Sequence, residues 1–527
     1  MRVVTFRVGT IGAARDPVQV GRVTLLVASL VLVGARAEAA PPFVEDDDRT
    51  STFRYTTPFP KDYFRAVLEG IGVLGIGFVE YLVSTKGSRS EVSPPYDFSI
   101  FHDKLGGNAE SFDINHFNTN FIGHPLGGTL YYLSARSNRI GVLPSFGWAF
   151  TGSLIWELIG EIAEKPSFND MIVTPWAGLS NGEVLTQLGS FFARARPSVG
   201  STILETLVAG PRFVHDRLDG LEDVRATSVD DLGLPADVGH RFELSLGVGA
   251  TRQTGSSFAF DQRLRLDAEV VALPDYTGVG DHARSFSDGN IARLRFDLGL
   301  SDGRLVDGRF STQSTLAGWY VRHGWRDDAG RVQGRGAIAG VYVGFEYGVH
   351  DYDRDRARTL DQSARVTMLG VAGELTRDAG PFHLRARAQL GLDFAGAHAY
   401  ALPEYVAHTS PDRLPTVLRR EGYYFAAGPT AATSLELTLA GLEVGGDLAI
   451  DDWHAILGLD DDEAKLTNHV GRSDRRIRYR GTLGWTFRRQ HLRIGAEALA
   501  LVRSGSVGDF RASRSETTLT FSIGGVF

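Results

Sequence analysis

The chain has 527 residues, a net charge of −8, 62 glycines and no cysteine. Without cysteine there are no disulfides, thiol nucleophiles, zinc ribbons or iron–sulfur centres, and the mild acidity argues against a nucleic-acid partner. With 43% hydrophobic and 22% charged residues, the composition is that of a folding chain, long enough to bury a large core.

Arg2, Arg7, Arg15 and Arg22 precede an apolar run over 23–34 and the small-x-small sequence Ala37-Glu38-Ala39. This is the pattern of an export leader, cleaved before Ala40; the run falls short of the ~20 residues a spanning helix needs. A polar linker over 40–60 follows, with Glu45, Asp46, Asp47 and Asp48.

Residues 61–200 read as a helical domain. The glycine-rich apolar stretch 62–83 carries Glu69 and Glu80; its length permits spanning, but an exported chain with a stop-transfer helix would be held in the inner membrane, so it is expected to pack on neighbours or on the barrel. Pro125 marks a helix start, with Gly128, Tyr132 and Arg136 on one stripe. Pro144 and Ser145 open the next helix, whose polar stripe is Ser153, Glu157 and Glu161. A loop presenting Ser167, Asn169 and Asp170 then stops at Thr174-Pro175, before a last helix led by Gly178, Gly182 and Glu183.

Two chemistries fit this polar set. Glu157 and Glu161 on one helical face could share a proton, with His124 as shuttle, Asp170 completing the set, and Ser153 or Ser167 as nucleophile. Alternatively, Arg136 pairs with Glu157, Glu161 or Asp170 while Ser167, Asn169 and Asp170 cap helices, a network that locks the helices together. Tyr132, Arg136, Ser153 and Asn169 are the binding candidates in either case. No GxSxG elbow occurs. The set His102, Asp103, Asp113, His116 and His124 matches no zinc spacing, and the glycines at 123, 127 and 128 form no dinucleotide fingerprint. No metal or cofactor is therefore expected.

From about residue 241, after a connector over 201–240, a period of two dominates. Over 258–272 one face carries Phe258, Phe260, Leu264, Leu266, Ala268 and Val270, the other Asp261, Arg263, Arg265, Asp267 and Glu269. Residues 382–395 repeat the pattern, and 242–250, 292–300, 337–349, 477–487 and 492–502 follow it. Such runs match the 9–11 residues of a tilted transmembrane strand, with lipid on the apolar face and a polar lumen on the other. The expectation is an antiparallel barrel of about twelve strands over 241–527, with short turns at Ala440-Gly441 and Arg489-Gln490 and long loops near 396–421, 453–474 and 504–513. The alternation of long and short connections breaks once between 301 and 365. Mixed lumen charges, among them Arg476, Arg478, Arg480, Asp267 and Asp297, point to a salt-bridged, partly filled interior.

The run from Asp113 to Glu183, with NxxGHPxxGxxYY, SARSNR, GSxxWExxxE, PSxNDxxxTP and GE elements, resembles the bacterial domain of unknown function 3943. That resemblance implies an exported barrel architecture and no reaction. The order His124, Glu157, Asp170, Gly182 is more loosely similar to VanZ-like envelope proteins. The terminal strand, ending at Phe527, resembles the C-terminal signal of outer-membrane barrels. The fold class expected is thus α+β: a helical domain at the periplasmic mouth or plugging the lumen, then an outer-membrane barrel. The partners expected are outer-membrane lipids and the barrel assembly machinery. The role is structural or transport in the cell envelope; the alternative is a membrane-embedded hydrolase or transferase acting on envelope lipid or glycan through His124, Glu157 and Asp170.

Overall fold

The computed structural model describes residues 60–85, 112–160, 166–220, 226, 228–253, 258–276, 278–351, 360–457 and 470–527. The leader, the linker as far as residue 59, His102, Asp103 and Glu161 lie outside them.

Thirteen strands form one antiparallel sheet: β1 Gly239–Gln253, β2 Phe258–Val271, β3 Gly280–Phe286, β4 Ile291–Ser301, β5 Arg304–Arg326, β6 Val332–Asp351, β7 Leu360–Ala379, β8 Phe382–His398, β9 Tyr423–Leu439, β10 Leu442–Ala455, β11 Arg472–Phe487, β12 Leu492–Val507 and β13 Phe510–Val526. β1 pairs with β13, and β5 pairs with β6, so the ring is closed. β3 and β4 both pair with β5, one along residues 318–324 and the other along 304–315. They are one wall strand interrupted at 287–290, and the barrel has twelve staves.

The expected connections hold at Ala440-Gly441, where both residues have positive φ, as a tight hairpin turn demands. They fail at 504–513, where β12 and β13 are joined by a two-residue turn rather than a long loop. Another two-residue turn, Asp302-Gly303, also with both φ positive, joins β4 to β5. These two short turns lie on the rim that otherwise carries long loops. With the interrupted strand, the Asp302-Gly303 turn explains why the alternation fails between 301 and 365.

Alternate side chains separate an inside from an outside. Arg385 of β8 bonds Glu269 of β2 at 2.6 Å, Arg265 of β2 bonds Glu497 of β12 at 2.6 Å, and Arg478 of β11 bonds Glu346 of β6 at 2.7 Å. No pair joins neighbouring strands, so the pairs cross the lumen. The opposite face exposes Leu246, Val248, Phe260, Leu435, Leu483, Ile494 and Phe521. Trp319, Trp325 and Trp485 are exposed on the same face; the rim where the barrel begins and ends, at Gly239 of β1 and Val526 of β13, is the near rim. This is the build of an outer-membrane barrel. The far mouth is closed by residues 399–422, with helices α6 Leu402–His408 and α7 Thr416–Glu421. There Tyr405, Leu414 and Leu418 pack on Ala395, Tyr424 and Trp453. The lumen is crossed by salt bridges and partly filled, as expected, keeping a cavity of about 360 Å³.

Five longer helices precede the barrel: α1 Tyr63–Thr85, α2 His124–Arg136 (continuing a π-turn over Thr119–Gly123), α3 Val142–Ile155 (extended by a π-turn to Gly160), α4 Phe168–Ala193 and α5 Val199–Leu218. α4 does not wait for Pro175, where the loop was expected to end. It begins at Phe168 and runs through the proline, on a stretch packed between the other helices and the barrel wall.

These helices lie neither at the mouth nor in the lumen, contrary to the sequence expectation. They pack on the outer wall. Val173 and Ala177 of α4 meet Phe345, Val366, Phe394 and Phe425, and Val184, Leu188 and Phe192 meet Ala268, Val270 and Ala292. All of these strand residues alternate with the lumen-facing charges. Ser180 Oγ lies 2.9 Å from Thr312 Oγ1 and Thr312 Oγ1 donates to Asn181 at 2.6 Å, on the same outer face. α4 thus descends from the far rim to Val238 at the near rim. α2 runs parallel to it, and α1 and α3 run the opposite way. The outer side of the bundle shows Phe64, Ile71, Ile76, Val79, Leu126, Leu143 and Ile159 to the surroundings.

Candidate functional site

Two buried polar clusters are built where the helices meet. The near one centres on Arg136, at the end of α2. Its Nε donates to Glu183 Oε2 at 2.9 Å, and its Nη2 donates to Glu183 Oε1 at 3.0 Å and to Asp288 Oδ1 at 3.2 Å. Tyr132 and Gln187 complete the shell of Glu183, donating at 2.5 and 2.7 Å. Arg136 and Glu183 are wholly buried. The partners expected for Arg136, namely Glu157, Glu161 or Asp170, are replaced by Glu183 and Asp288. Parallel packing sets Arg136, at the end of α2, beside Glu183, fifteen residues after the start of α4 and far from the 157–170 segment at the other end.

Two glycine positions make this possible. A Cβ on Gly178 would lie 2.4 Å from the Gly128 carbonyl oxygen, and one on Gly128 would lie 1.8 Å from the Thr174 oxygen, so only paired glycines let α2 and α4 touch. In the wall, Gly289 has φ +67° and a Cβ there would lie 2.5 Å from Glu183 Oε1. The interruption between β3 and β4 is therefore the socket that receives the Arg136–Glu183 pair.

The far cluster draws on the starts of α2 and α4 and the end of α3. Pro125 sits in the first turn of α2, which sets His124 at the helix entrance with Nε2 3.4 Å from Asp170 Oδ2. Asp113, His124 and Asp170 each offer a ligand atom, all within 4.8 Å of one another. Asn169 Nδ2 donates to Asp170 Oδ1 at 2.8 Å, while Asn169 Oδ1 accepts the Asp113 amide at 2.9 Å and Ser167 Oγ at 2.7 Å. Glu157 Oε2 accepts the Ser167 amide at 2.7 Å, and Ser153 Oγ donates to the Asp170 carbonyl at 3.2 Å. Asn169, Asp170 and Glu157 are all essentially inaccessible.

The sequence candidates thus divide. His124, Asp170, Asn169, Ser153 and Glu157 come together at one end, and Tyr132 with Arg136 at the other. Ser167 is the residue before α4 but makes no side-chain cap; its hydroxyl goes to Asn169 instead, and Asn169 and Asp170 lie inside the helix. Since Ser167 and Ser153 direct their hydroxyls to Asn169 and to a carbonyl, neither is coupled to His124 as a nucleophile. What the cluster offers is an imidazole beside carboxylates in an apolar surround. His116 turns away to Glu421, at 2.7 Å. Sequence reasoning left out Asp113 as a partner of Asp170, and Asp288 and Gln187 altogether. The Gly182-Glu183 element carried the one available signal, a carboxylate on the small-residue face of α4.

Residues 109–210 match the family described as "Domain of unknown function (DUF3943)", the resemblance read from the motifs. No curated protein matches the chain. Among solved structures, the chain is similar to the outer membrane channel DcaP of Acinetobacter baumannii, at 12% identity over 56% of this chain and 99% of that one, with a TM-score of 0.19. It is similar to the translocator domain of the autotransporter NalP from Neisseria meningitidis, at 11% identity over 62% and 99%, with a TM-score of 0.19. A porin refined at 1.8 Å resolution matches at 9% identity over 55% and 100%, with a TM-score of 0.20.

Proposed function

We propose that the protein is a non-conducting outer-membrane barrel that anchors a membrane-embedded helix bundle, and that the bundle is its working part. The observation that carries this is the inverted polarity of the helices. α5 buries Glu205, Arg212 and Asp216 while exposing Val199, Ile203, Leu207 and Leu218, the polarity of a helix lying against lipid. α1 to α4 continue the apolar surface of the wall, and α4, ~39 Å long at 1.5 Å per residue, suffices for the ~30 Å hydrocarbon core. In this reading the near rim faces the periplasm, the side of the short turns. The leader is removed near Ala40, and the terminal strand ending at Phe527 is offered to the barrel assembly machinery.

A transport role through the lumen is disfavoured by the cross-lumen ion pairs and by the cap at the far mouth. Structural support is the role of the barrel. The second reading, an enzyme acting on envelope lipid or glycan, is favoured by one feature: ionisable groups within a lipid-facing bundle, which are costly unless used. Planar-bilayer recording of the full chain tests the main reading. It expects no stable conductance steps from the wild type; porin-like open channels would overturn it.

A further inference from the structure

We propose that Asp113, His124 and Asp170 form a binding site for one divalent transition-metal ion of the zinc or manganese kind. The donors are one imidazole nitrogen and two carboxylates, a set that suits these ions. Three ligands come from three separate segments: the strand of chain before the π-turn, the first residue of α2, and the first turn of α4. Two zinc ligands at about 2.0–2.1 Å in tetrahedral array stand about 3.4 Å apart. His124 Nε2 and Asp170 Oδ2 are already 3.4 Å apart, and the 4.8 Å limit for the full set leaves little to close.

The surroundings orient the ligands as outer partners of a metal site do. Asn169 holds Oδ1 of Asp170, which leaves Oδ2 directed to His124. Asn115 holds the Asp113 carboxylate, its backbone amide donating to Oδ1 at 2.9 Å and its side-chain amide to Oδ2, and the Asp113 backbone amide donates to Asn169, the residue that also holds Asp170. A neutral imidazole with two carboxylates sums to −2, which a divalent ion cancels beside the apolar cluster of Phe112, Phe394 and Phe425, where the dielectric is low. Three protein ligands leave a coordination position open. His116, nearer in sequence to His124 than Asp170 is, points to Glu421 and takes no part.

The inference rests on the bundle being the working part, but metal binding and conductance are measured separately, so either can fail alone. The test is equilibrium dialysis of the tag-free full chain, folded in detergent, against micromolar zinc ion, with metal counted by mass spectrometry. The expected result is one zinc per chain, with affinity lowered at least about tenfold in His124→Gln and Asp170→Asn and unchanged in His116→Gln. A wild type that retains no stoichiometric zinc overturns the proposal, as do ligand variants that bind like wild type. Should both variants fail to fold, X-ray absorption on zinc-loaded wild type decides: imidazole in a nitrogen/oxygen shell is expected, and a shell without imidazole overturns the site.

Discussion

Removing the charge of Arg136 should free the helix bundle from the wall while leaving the barrel closed. Arg136→Met leaves Glu183 and Asp288, both against the wall socket, without their shared cation. Breaking a buried pair from one side costs about 3–5 kcal/mol, and two stranded carboxylates place Arg136→Met at the upper end. Glu183→Gln costs less, because Arg136 keeps Asp288 and the amide still accepts from Tyr132. The Arg136→Met/Glu183→Gln double variant should cost less than the sum of the two, by up to about 3 kcal/mol, as expected for residues in one network. Urea unfolding followed by the emission of the bundle tryptophans Trp148, Trp156 and Trp176 reads the bundle. Gel mobility with and without boiling reads the barrel, whose strand pairing does not involve the pair. Single variants within 1 kcal/mol of wild type, or additive effects in the double, would refute the socket.

Gly178→Ala places a Cβ 2.4 Å from a backbone oxygen of α2, so it should destabilise the bundle by about 1–3 kcal/mol. Gly72→Ala, with nothing within 4 Å, should be neutral or gain up to about 1 kcal/mol; both are measured by the same urea titration. At the near rim, hydrogen bonds from Arg65, and then from Arg139, hold the carboxyl of Asp219 well below the usual carboxylate range. A carboxyl depressed on folding adds stability above its unfolded value, and that contribution is lost as pH falls through the folded one. Asp219→Asn should therefore be less stable than wild type at neutral pH, with the gap shrinking below about pH 4 in urea curves taken at several pH values. A gap that widens on acidification would contradict the pairing.

The wall was legible because a membrane strand writes both of its surroundings into alternate residues: Phe260 beside Asp261 and Leu264 beside Arg265 declare two faces without knowledge of the partner strand. The interrupted stave was not, since Asp288 and Gly289 look like an ordinary turn until Glu183, 106 positions away in sequence, is seen to occupy the gap. The helices were legible as helices, but not their place. An apolar stripe such as Val173, Ala177, Val184 and Leu188 suits a lumen, a partner helix or an outer wall equally, and only the parity of Phe394 and Phe425 against Asp393 and Thr430 distinguishes them. Local rules put proline outside helix interiors, so Pro175 reads as a stop, yet the buried proline lies inside α4. Within the far cluster, His124, Glu157 and Asp170 stood out as polar residues among apolar ones, whereas Asp113 joins them through a fold contact that spacing does not encode.

Whether the helices lean on the outside of the barrel can be read from a disulfide engineered into this cysteine-free chain. Ser180→Cys/Thr312→Cys joins two side chains whose hydroxyl oxygens lie 2.9 Å apart on the outer face, within reach of the geometry a disulfide needs. This pair should oxidise in membranes and cross-link α4 to β5, while Ser180→Cys/Gln313→Cys, whose second position faces the lumen, should stay reduced. Cross-linking through position 313 and none through 312 would put the helices inside the barrel instead.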